Sequence, residues 1–225
     1  MEPTFDLSGQ PLATDPNGVD SEGLVALSDG GFWMSEEYGP SILRIDPEGV
    51  VLARFTPPGS ERRRLNRGFE GLAISDDERW LYVIFQSALD GENPMETRIW
   101  TLDASDGTRV ADHAYPFDLP ETFAEDEAAD VADLKACEIL CVGPNRLLVL
   151  ERVSRSARIY RVDLGKGPPL EKVLVFSTDH HPEIAPDLEG MCLLTPQDLL
   201  LATDNDFGVE GAQTQFYRLS FAAPI

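Results

Sequence analysis

Short apolar runs alternate with turn residues along most of the chain. From residue 22 onward the runs are rich in β-branched and aromatic side chains, and Asp, Gly, Asn or Pro separates them. Runs of this kind predict β-strands joined by tight turns. The predicted strands are 23–28, 32–36, 41–46 and 50–55; 70–75, 80–86, 97–103 and 108–115; 134–142, 146–151, 157–163 and 171–176; and 189–194, 198–204 and 214–221.

A three-residue motif opens three of these four groups of strands. It reads Glu22-Gly23-Leu24, Glu70-Gly71-Leu72 and Glu189-Gly190-Met191, and the third group keeps the strand spacing without the Glu-Gly pair. The first two copies lie 48 residues apart, and the 119 residues to the last copy are two such modules plus the loop 116–130. Units of four short strands repeating every 40–50 residues or so are typical of propeller blades.

The sequence therefore predicts an all-β protein, a β-propeller of four-stranded antiparallel blades in a single domain over residues 1–225. About four blades are readable, at approximately 20–60, 69–116, 131–177 and 187–221, and the last is one strand short. A further predicted strand at residues 3–8 either closes the last blade as its outermost strand or belongs to a preceding blade.

The charge balance limits the classes of partner. Acidic residues outnumber basic ones 40 to 18, giving a formal charge of −22. Such a surface repels nucleic acid and anionic membranes and attracts cations. No apolar stretch approaches the ~20 residues of a membrane span. Met1-Glu2-Pro3 opens on an acid and a proline, so we expect no signal peptide in this sequence, and a leader could have been removed before residue 1. The three cysteines, in apolar runs, are predicted to be buried free thiols, and we expect a monomer.

Carboxylates at equivalent places in successive blades predict a cation site. The innermost strand of each blade lines the central channel, so Glu22, Glu70 and Glu189 should face one another, with Asp133 in their place in the third blade. Gathered carboxylates either raise their pKa values or hold a cation, and oxygen ligands suit Ca²⁺ or Mg²⁺. The alternative is that each Glu caps backbone amides of a turn without a metal.

Residues at the ends of the second strands could add ligands at the same mouth of the channel. These are Glu37, Glu151 and Asp204. Asp204-Asn205-Asp206 does not have EF-hand spacing, so we expect this loop, through Asp204 and Asn205, to supply only an oxygen or two.

The sequence lacks the common nucleophile motifs. It contains no Gly-x-Ser-x-Gly, no His-Glu-x-x-His and no phosphate-binding loop, so hydrolysis would depend on metal-activated water. The candidate catalytic residues are Arg152, Glu151 and Glu37. Arg152, and after it Arg98, could bind a phosphate or carboxylate through the guanidinium fork, although either arginine could instead pair with a neighbouring acid.

Six motifs in order resemble one family. They are Asp20-Ser21-Glu22-Gly23-Leu24, Phe32-Trp33-Met34-Ser35-Glu36-Glu37-Tyr38-Gly39-Pro40, Asn66-Arg67-Gly68-Phe69-Glu70-Gly71-Leu72-Ala73, Leu148-Val149-Leu150-Glu151-Arg152, Arg158-Ile159-Tyr160 and Asp204-Asn205-Asp206-Phe207-Gly208. From Asp20 to Phe221 the chain resembles the phytase-like domain family, also described as esterase-like activity of phytase. The resemblance implies a β-propeller, export to the periplasm or medium of a bacterium, and calcium-dependent phosphoester hydrolysis. It also implies a longer N-terminus, so a truncated first blade would explain the missing strand.

Three hypotheses about function follow. The first is a metal-dependent hydrolase of a small anionic phosphoester or related ester at the channel mouth. The second is a non-catalytic propeller whose cation is structural and whose rim binds a partner. The third is a metal-dependent lactonase.

Overall fold

The computed structural model describes residues 19–123, 129–205, 208 and 211–225. The described residues form fifteen strands. They are β1 Ser21–Ala26, β2 Phe32–Glu36, β3 Ser41–Ile45, β4 Val51–Phe55, β5 Phe69–Ile74, β6 Trp80–Phe85, β7 Glu96–Asp103, β8 Arg109–Pro116, β9 Lys135–Gly143, β10 Arg146–Arg152, β11 Ala157–Asp163, β12 Lys172–Ser177, β13 Leu188–Thr195, β14 Asp198–Thr203 and β15 Phe216–Ser220. Helical structure in these ranges includes 3-10 turns at Ser60–Arg62, Pro120–Thr122, Val131–Asp133, Leu164–Lys166 and Thr178–His180.

The strands form four antiparallel sheets, each a meander in chain order. Blade 1 is β1–β4, blade 2 is β5–β8, blade 3 is β9–β12 and blade 4 is β13–β15. The predicted fold class, an all-β propeller of antiparallel blades, is confirmed. The described part of blade 4 has three strands, and the predicted strand 3–8 lies outside the described residues.

The innermost strands β1, β5, β9 and β13 contact one another in succession. The glycine of the repeated motif makes this possible, because a Cβ on Gly23 would lie 2.4 Å from the backbone nitrogen of Leu72 in the next blade. A Cβ on Gly71 would lie 2.4 Å from the nitrogen of Ile139. The Gly of the motif therefore serves packing between blades, whatever the role of the Glu before it.

Most of the apolar core lies between neighbouring blades. Between blades 1 and 2, Trp33 and Phe69 pack with Phe85 and Trp100, whose rings meet edge to face at 4.8 Å. Two further clusters fill the junctions of blades 2 and 3 and of blades 3 and 4. Each fully buried side chain of this size contributes about 1.5–3 kcal/mol, so the stack of sheets fixes where the ends of the strands meet.

The cysteines are free thiols, as predicted, but only one of the three is buried. Cys137 is buried, Cys141 is half-buried and Cys192 is exposed. No helix among the described residues is long and apolar enough to cross a membrane.

Candidate functional site

The strand registers identify equivalent positions at one end of the channel. The first and second strands of each blade pair through Ser21 and Glu36, Phe69 and Phe85, Ala136 and Glu151, and Leu188 and Thr203. A bulge follows this pair on each inner strand. The next residue of each first strand is Glu22, Glu70, Cys137 or Glu189, and the next residue of each second strand is Glu37, Gln86, Arg152 or Asp204.

Three carboxylates of blade 1 come together at this end. Asp20, Glu22 and Glu37 each place a carboxylate oxygen within 4.8 Å of the others, and we name these three residues the acidic cluster. Glu37 is only 3% exposed, and its Oε1 atom has no hydrogen-bond partner among the described residues. A buried carboxylate oxygen without a donor is unfavourable unless a cation or proton compensates it.

Glu70 lies beside the acidic cluster and is itself buried. The side-chain amide of Gln86 donates to Glu70 Oε1, and the Glu70 carboxyl is close enough to those of Glu22 and Glu37 to repel both. The structure therefore brings Glu22 and Glu70 together from adjacent blades, as the repeat predicts.

The crowding of these acids raises their pKa values. Desolvation, then repulsion from Glu37, Asp20 and Glu189, raises the pKa of Glu22 to about 8, even though this residue keeps contact with solvent. Burial and the charges of Glu22 and Glu37 raise the pKa of Glu70 well above its ordinary value. The full negative charge of the group is therefore unfavourable unless a cation balances it.

Glu189 pairs with Arg152 and does not belong to the acidic cluster. The guanidinium donates to the Glu189 carboxylate, to Asp187 Oδ1 at 2.7 Å and, through Nε, to Cys137 Sγ at 3.2 Å. Because the protein itself occupies these donors and only 7% of the arginine side chain is exposed, the arrangement does not provide the predicted oxyanion clamp. Pairing with neighbouring acids, the alternative considered for Arg152, is what the structure contains.

Glu151 does not face the channel. It is fully buried, and its Oε2 accepts from Tyr115 Oη at 2.9 Å and Lys172 Nζ at 2.7 Å, while Oε1 accepts from the nitrogen of Asp118 at 2.8 Å. Its register partner makes it equivalent to Glu36, one residue before the channel position. Neighbouring residues of a strand point to opposite faces, so Glu151 does not lie where its predicted catalytic role at the channel mouth requires it.

The remaining predicted residues lie elsewhere. Asp133 forms a capping box with Asp130 at a 3-10 turn. The position in blade 3 that is equivalent to Glu22 and Glu70, which was predicted for Asp133, is occupied by Cys137. Arg98 pairs with Glu92 at 2.6 Å and Asp112 at 3.5 Å on β7, the third strand out from the channel.

The loop after β14 begins with two residues that were predicted to supply ligand oxygens. The nitrogen of Asp204 donates to the Asp187 carbonyl at 2.9 Å, and the nitrogen of Asn205 donates to Asp204 Oδ1 at 2.6 Å. Neither Asp204 nor Asn205 belongs to the acidic cluster found among the described residues.

Sequence reasoning missed four residues at this mouth, which are Asp20, Arg67, Gln86 and Lys135. Asp20 precedes the first motif by two residues and Arg67 precedes the second by three, so position relative to the repeat could have found both. Arg67 is half-buried and donates to the carbonyls of Ala132 at 3.0 Å and Leu134 at 3.3 Å. Gln86 and Lys135 carry no such sequence signal.

The fold is that of a β-propeller, with carboxylates gathered at one mouth of its channel. The sequence profile of one family, described as phytase-like, esterase-like activity of phytase, matches residues 3–207. The chain belongs to this family.

A curated relative is an uncharacterized secreted protein of Arthroderma benhamiae. It is 28% identical over 203 residues, a match that covers 67% of this chain and 40% of the relative. The chain thus spans about two fifths of the length of that protein.

Solved structures with a similar fold include a protein of unknown function from Bacteroides caccae. It is 12% identical, with 95% of this chain and 66% of that chain covered and a TM-score of 0.49. A streptogramin B lyase is 17% identical, with 98% and 61% covered and a TM-score of 0.44. Similarity at this level says nothing of a shared reaction.

Proposed function

We propose that this protein is a metal-dependent hydrolase of phosphoesters or related esters, acting on a small anionic substrate at the mouth of the propeller channel. The observation that carries the proposal is the Glu37 carboxylate, whose buried Oε1 atom has no donor among the described residues and which lies with those of Asp20 and Glu22 in the acidic cluster. Family membership, with its description of an esterase-like activity, supports the reaction class.

The donor set suits a hard divalent cation. Asp20, Glu22 and Glu37 offer only carboxylate oxygens, the ligands that Ca²⁺ and Mg²⁺ prefer. Glu70 lies close enough to add an oxygen. When bound, such a cation would polarise the ester and lower the pKa of water.

The chain's own residues prepare this site. Gln86 fixes the orientation of the Glu70 carboxyl through its amide. Arg152 neutralises Glu189, so that the uncompensated negative charge is concentrated on the blade 1 and blade 2 side. Because the pKa of Glu22 is raised to about 8 and that of Glu70 is also raised, cation binding should release protons and strengthen as pH rises.

Thermal unfolding with and without Ca²⁺ or Mg²⁺ tests the cation site. Binding to the folded state adds about 2.7 kcal/mol at a hundredfold excess over Kd, so the melting temperature should rise, and Glu37→Gln or Glu70→Gln should remove most of the rise. Glu138→Gln is the matched control, because the pKa of Glu138 is also raised to about 8 by burial but its carboxylate accepts from the nitrogens of Leu72 and Ile139. A rise that survives both Glu37→Gln and Glu70→Gln would contradict the site.

A substrate panel then separates an enzyme from a binding module. The folded, Ca²⁺-loaded protein should hydrolyse a phosphoester, and turnover should disappear with a chelator and in Glu37→Gln. Stabilisation by Ca²⁺ without turnover of any phosphoester, carboxylic ester or lactone would favour a structural cation in a non-catalytic propeller. Turnover of lactones alone would favour a lactonase.

A further inference from the structure

Two basic side chains lie near Glu70 without a direct ion pair to any of the described carboxylates. Neither Arg67 nor Lys135 forms an ion pair within 4.0 Å among the described residues, although the chain carries 40 acidic residues against 18 basic ones. By contrast, the donors of Arg152, Arg98 and Arg158 are engaged by carboxylates. A cation left unpaired next to a crowded acidic site is available to an external anion.

The backbone fixes Arg67 at the mouth. Its two terminal nitrogens donate to the carbonyls of Ala132 and Leu134, which immediately precede β9. These are neutral acceptors, so the hydrogen bonds orient the guanidinium without cancelling its charge. The same guanidinium lies near the carboxyls of Glu70 and Glu37, between the acidic cluster and the start of β9.

Lys135 starts β9 at the next residue after Leu134. It pairs with Arg152 across the sheet and lies two residues before Cys137, whose thiol accepts from Arg152. Residues two apart on a strand share a face, so Lys135 is on the channel side of blade 3. Its ammonium is close enough to Glu70 to act on that carboxyl.

We propose that Arg67 and Lys135 form an oxyanion subsite that selects substrates carrying a phosphate group. The inference rests on the proposed function, because the phosphate would lie between these two side chains and a cation held by the acidic cluster. Arginine and lysine are the side chains that bind phosphate, through charge-assisted hydrogen bonds. This pair replaces Arg152 and Arg98 as the substrate-binding residues.

Calorimetric titration with phenylphosphonate, a phosphate-ester analogue that cannot be hydrolysed, tests the subsite. It is done on the full chain with and without Ca²⁺. The Ca²⁺-loaded wild type should bind, and Arg67→Met and Lys135→Met should each weaken binding by about ten- to a hundredfold, the range for a hydrogen bond to a charged group. Both variants should keep the Ca²⁺-induced rise in melting temperature. Arg98→Met, which removes an arginine paired on β7, is the control and should bind normally.

Two further outcomes separate this inference from the proposed function. If Ca²⁺ has no effect on melting but phenylphosphonate binds and Arg67→Met abolishes binding, the subsite stands and the cation site fails. If the Ca²⁺-loaded wild type does not bind, or if both variants bind like wild type, the subsite is overturned. Arg67→Lys keeps the charge and loses the fork, so intermediate binding should follow even if Arg67→Met folds poorly.

Discussion

The guanidinium of Arg152 joins blade 3 to blade 4 by donating to the carboxylate of Glu189. Both residues stand at channel positions of their blades, and Asp187 completes the contact at 2.7 Å. Asp187 has a positive φ of 63°, which is rare for a residue with a side chain. This contact removes Glu189 from the set of free carboxylates and makes Arg152 a structural residue.

Arg152→Met should therefore destabilise the protein rather than abolish substrate binding. We expect a loss of about 1.5–3 kcal/mol, the range for hydrogen bonds to charged groups, because Asp187 and Glu189 keep some contact with solvent. Denaturant unfolding measures the loss. Arg98→Met, whose ion pairs are more exposed, should lose less than about 1 kcal/mol, and an equal effect of the two would contradict the interpretation.

Glu151→Gln should destabilise the protein without affecting the cation site. The substitution removes the charge that faces Lys172 in a fully buried position, and breaking such a pair costs about 3–5 kcal/mol. Asp118, which remains 2.8 Å from Lys172, should reduce the loss to roughly 2–4 kcal/mol. The rise of melting temperature with Ca²⁺ should be unchanged. Loss of this rise would mean that Glu151 contributes to the cation site after all.

The strand pattern predicted the fold because it is local. Apolar runs between turn residues marked all fifteen described strands to within about two residues at their ends, and the Glu-Gly repeat gave their grouping into blades. The repeat also predicted that Glu22 and Glu70 would meet, since equivalent positions of inner strands face one channel. The repeat alone could not show that its Glu and its Gly have different roles. The Gly is required for close packing between blades.

The rest of the site depends on register and on partners distant in sequence. Whether Glu151 or Arg152 faces the channel depends on the register of β10, because a shift of one residue moves every side chain to the other face of the strand. In blade 3 the position of the motif Glu is occupied by Cys137, so a search of the sequence for acidic residues does not find this position. Arg67 donates to backbone carbonyls 65 and 67 residues away in the sequence instead of pairing with a carboxylate. No local sequence pattern could indicate such distant partners.

Substitution of the motif glycines tests their packing role. In Gly71→Ala the new Cβ would lie 2.4 Å from the nitrogen of Ile139 and 2.6 Å from Cα of Glu138, so backbone would have to move. We expect a loss of about 3 kcal/mol or failure to fold, the upper end for overpacking. In Gly190→Ala the nearest atom is Ala202 Cβ at 3.3 Å, and the loss in unfolding free energy should stay below about 1 kcal/mol. Similar losses in the two variants would show that the close approach is not the reason for the glycine.

The stability of the metal-free protein should fall as pH rises from about 6.5 to 8. The pKa of Glu22 is about 8 in the folded state, whereas in an unfolded chain a glutamate has a pKa of about 4.3. Between these values the unfolded state binds fewer protons than the folded state, so the free energy of unfolding decreases with pH. His113, whose pKa is lowered by burial, affects only lower pH, and the aspartates with lowered pKa values act below about pH 4.

Denaturant unfolding at several pH values measures this decrease. From Glu22 we expect about 1 kcal/mol over the window, less than the ~1.4 kcal/mol per pH unit of one fully buried titrating group, because Glu22 keeps contact with solvent. Glu138, whose pKa is also raised to about 8 by burial, adds to the decrease. Glu22→Gln should make the profile less steep by about the amount expected from Glu22, since the amide carries no proton to lose, and the remaining decrease should come from Glu138. Saturating Ca²⁺ should remove or reverse the decrease, because the cation binds the deprotonated carboxylates more tightly as pH rises. A metal-free profile that is flat or rises between pH 6.5 and 8 would mean that the carboxylates of the acidic cluster and Glu70 do not repel one another as their positions require.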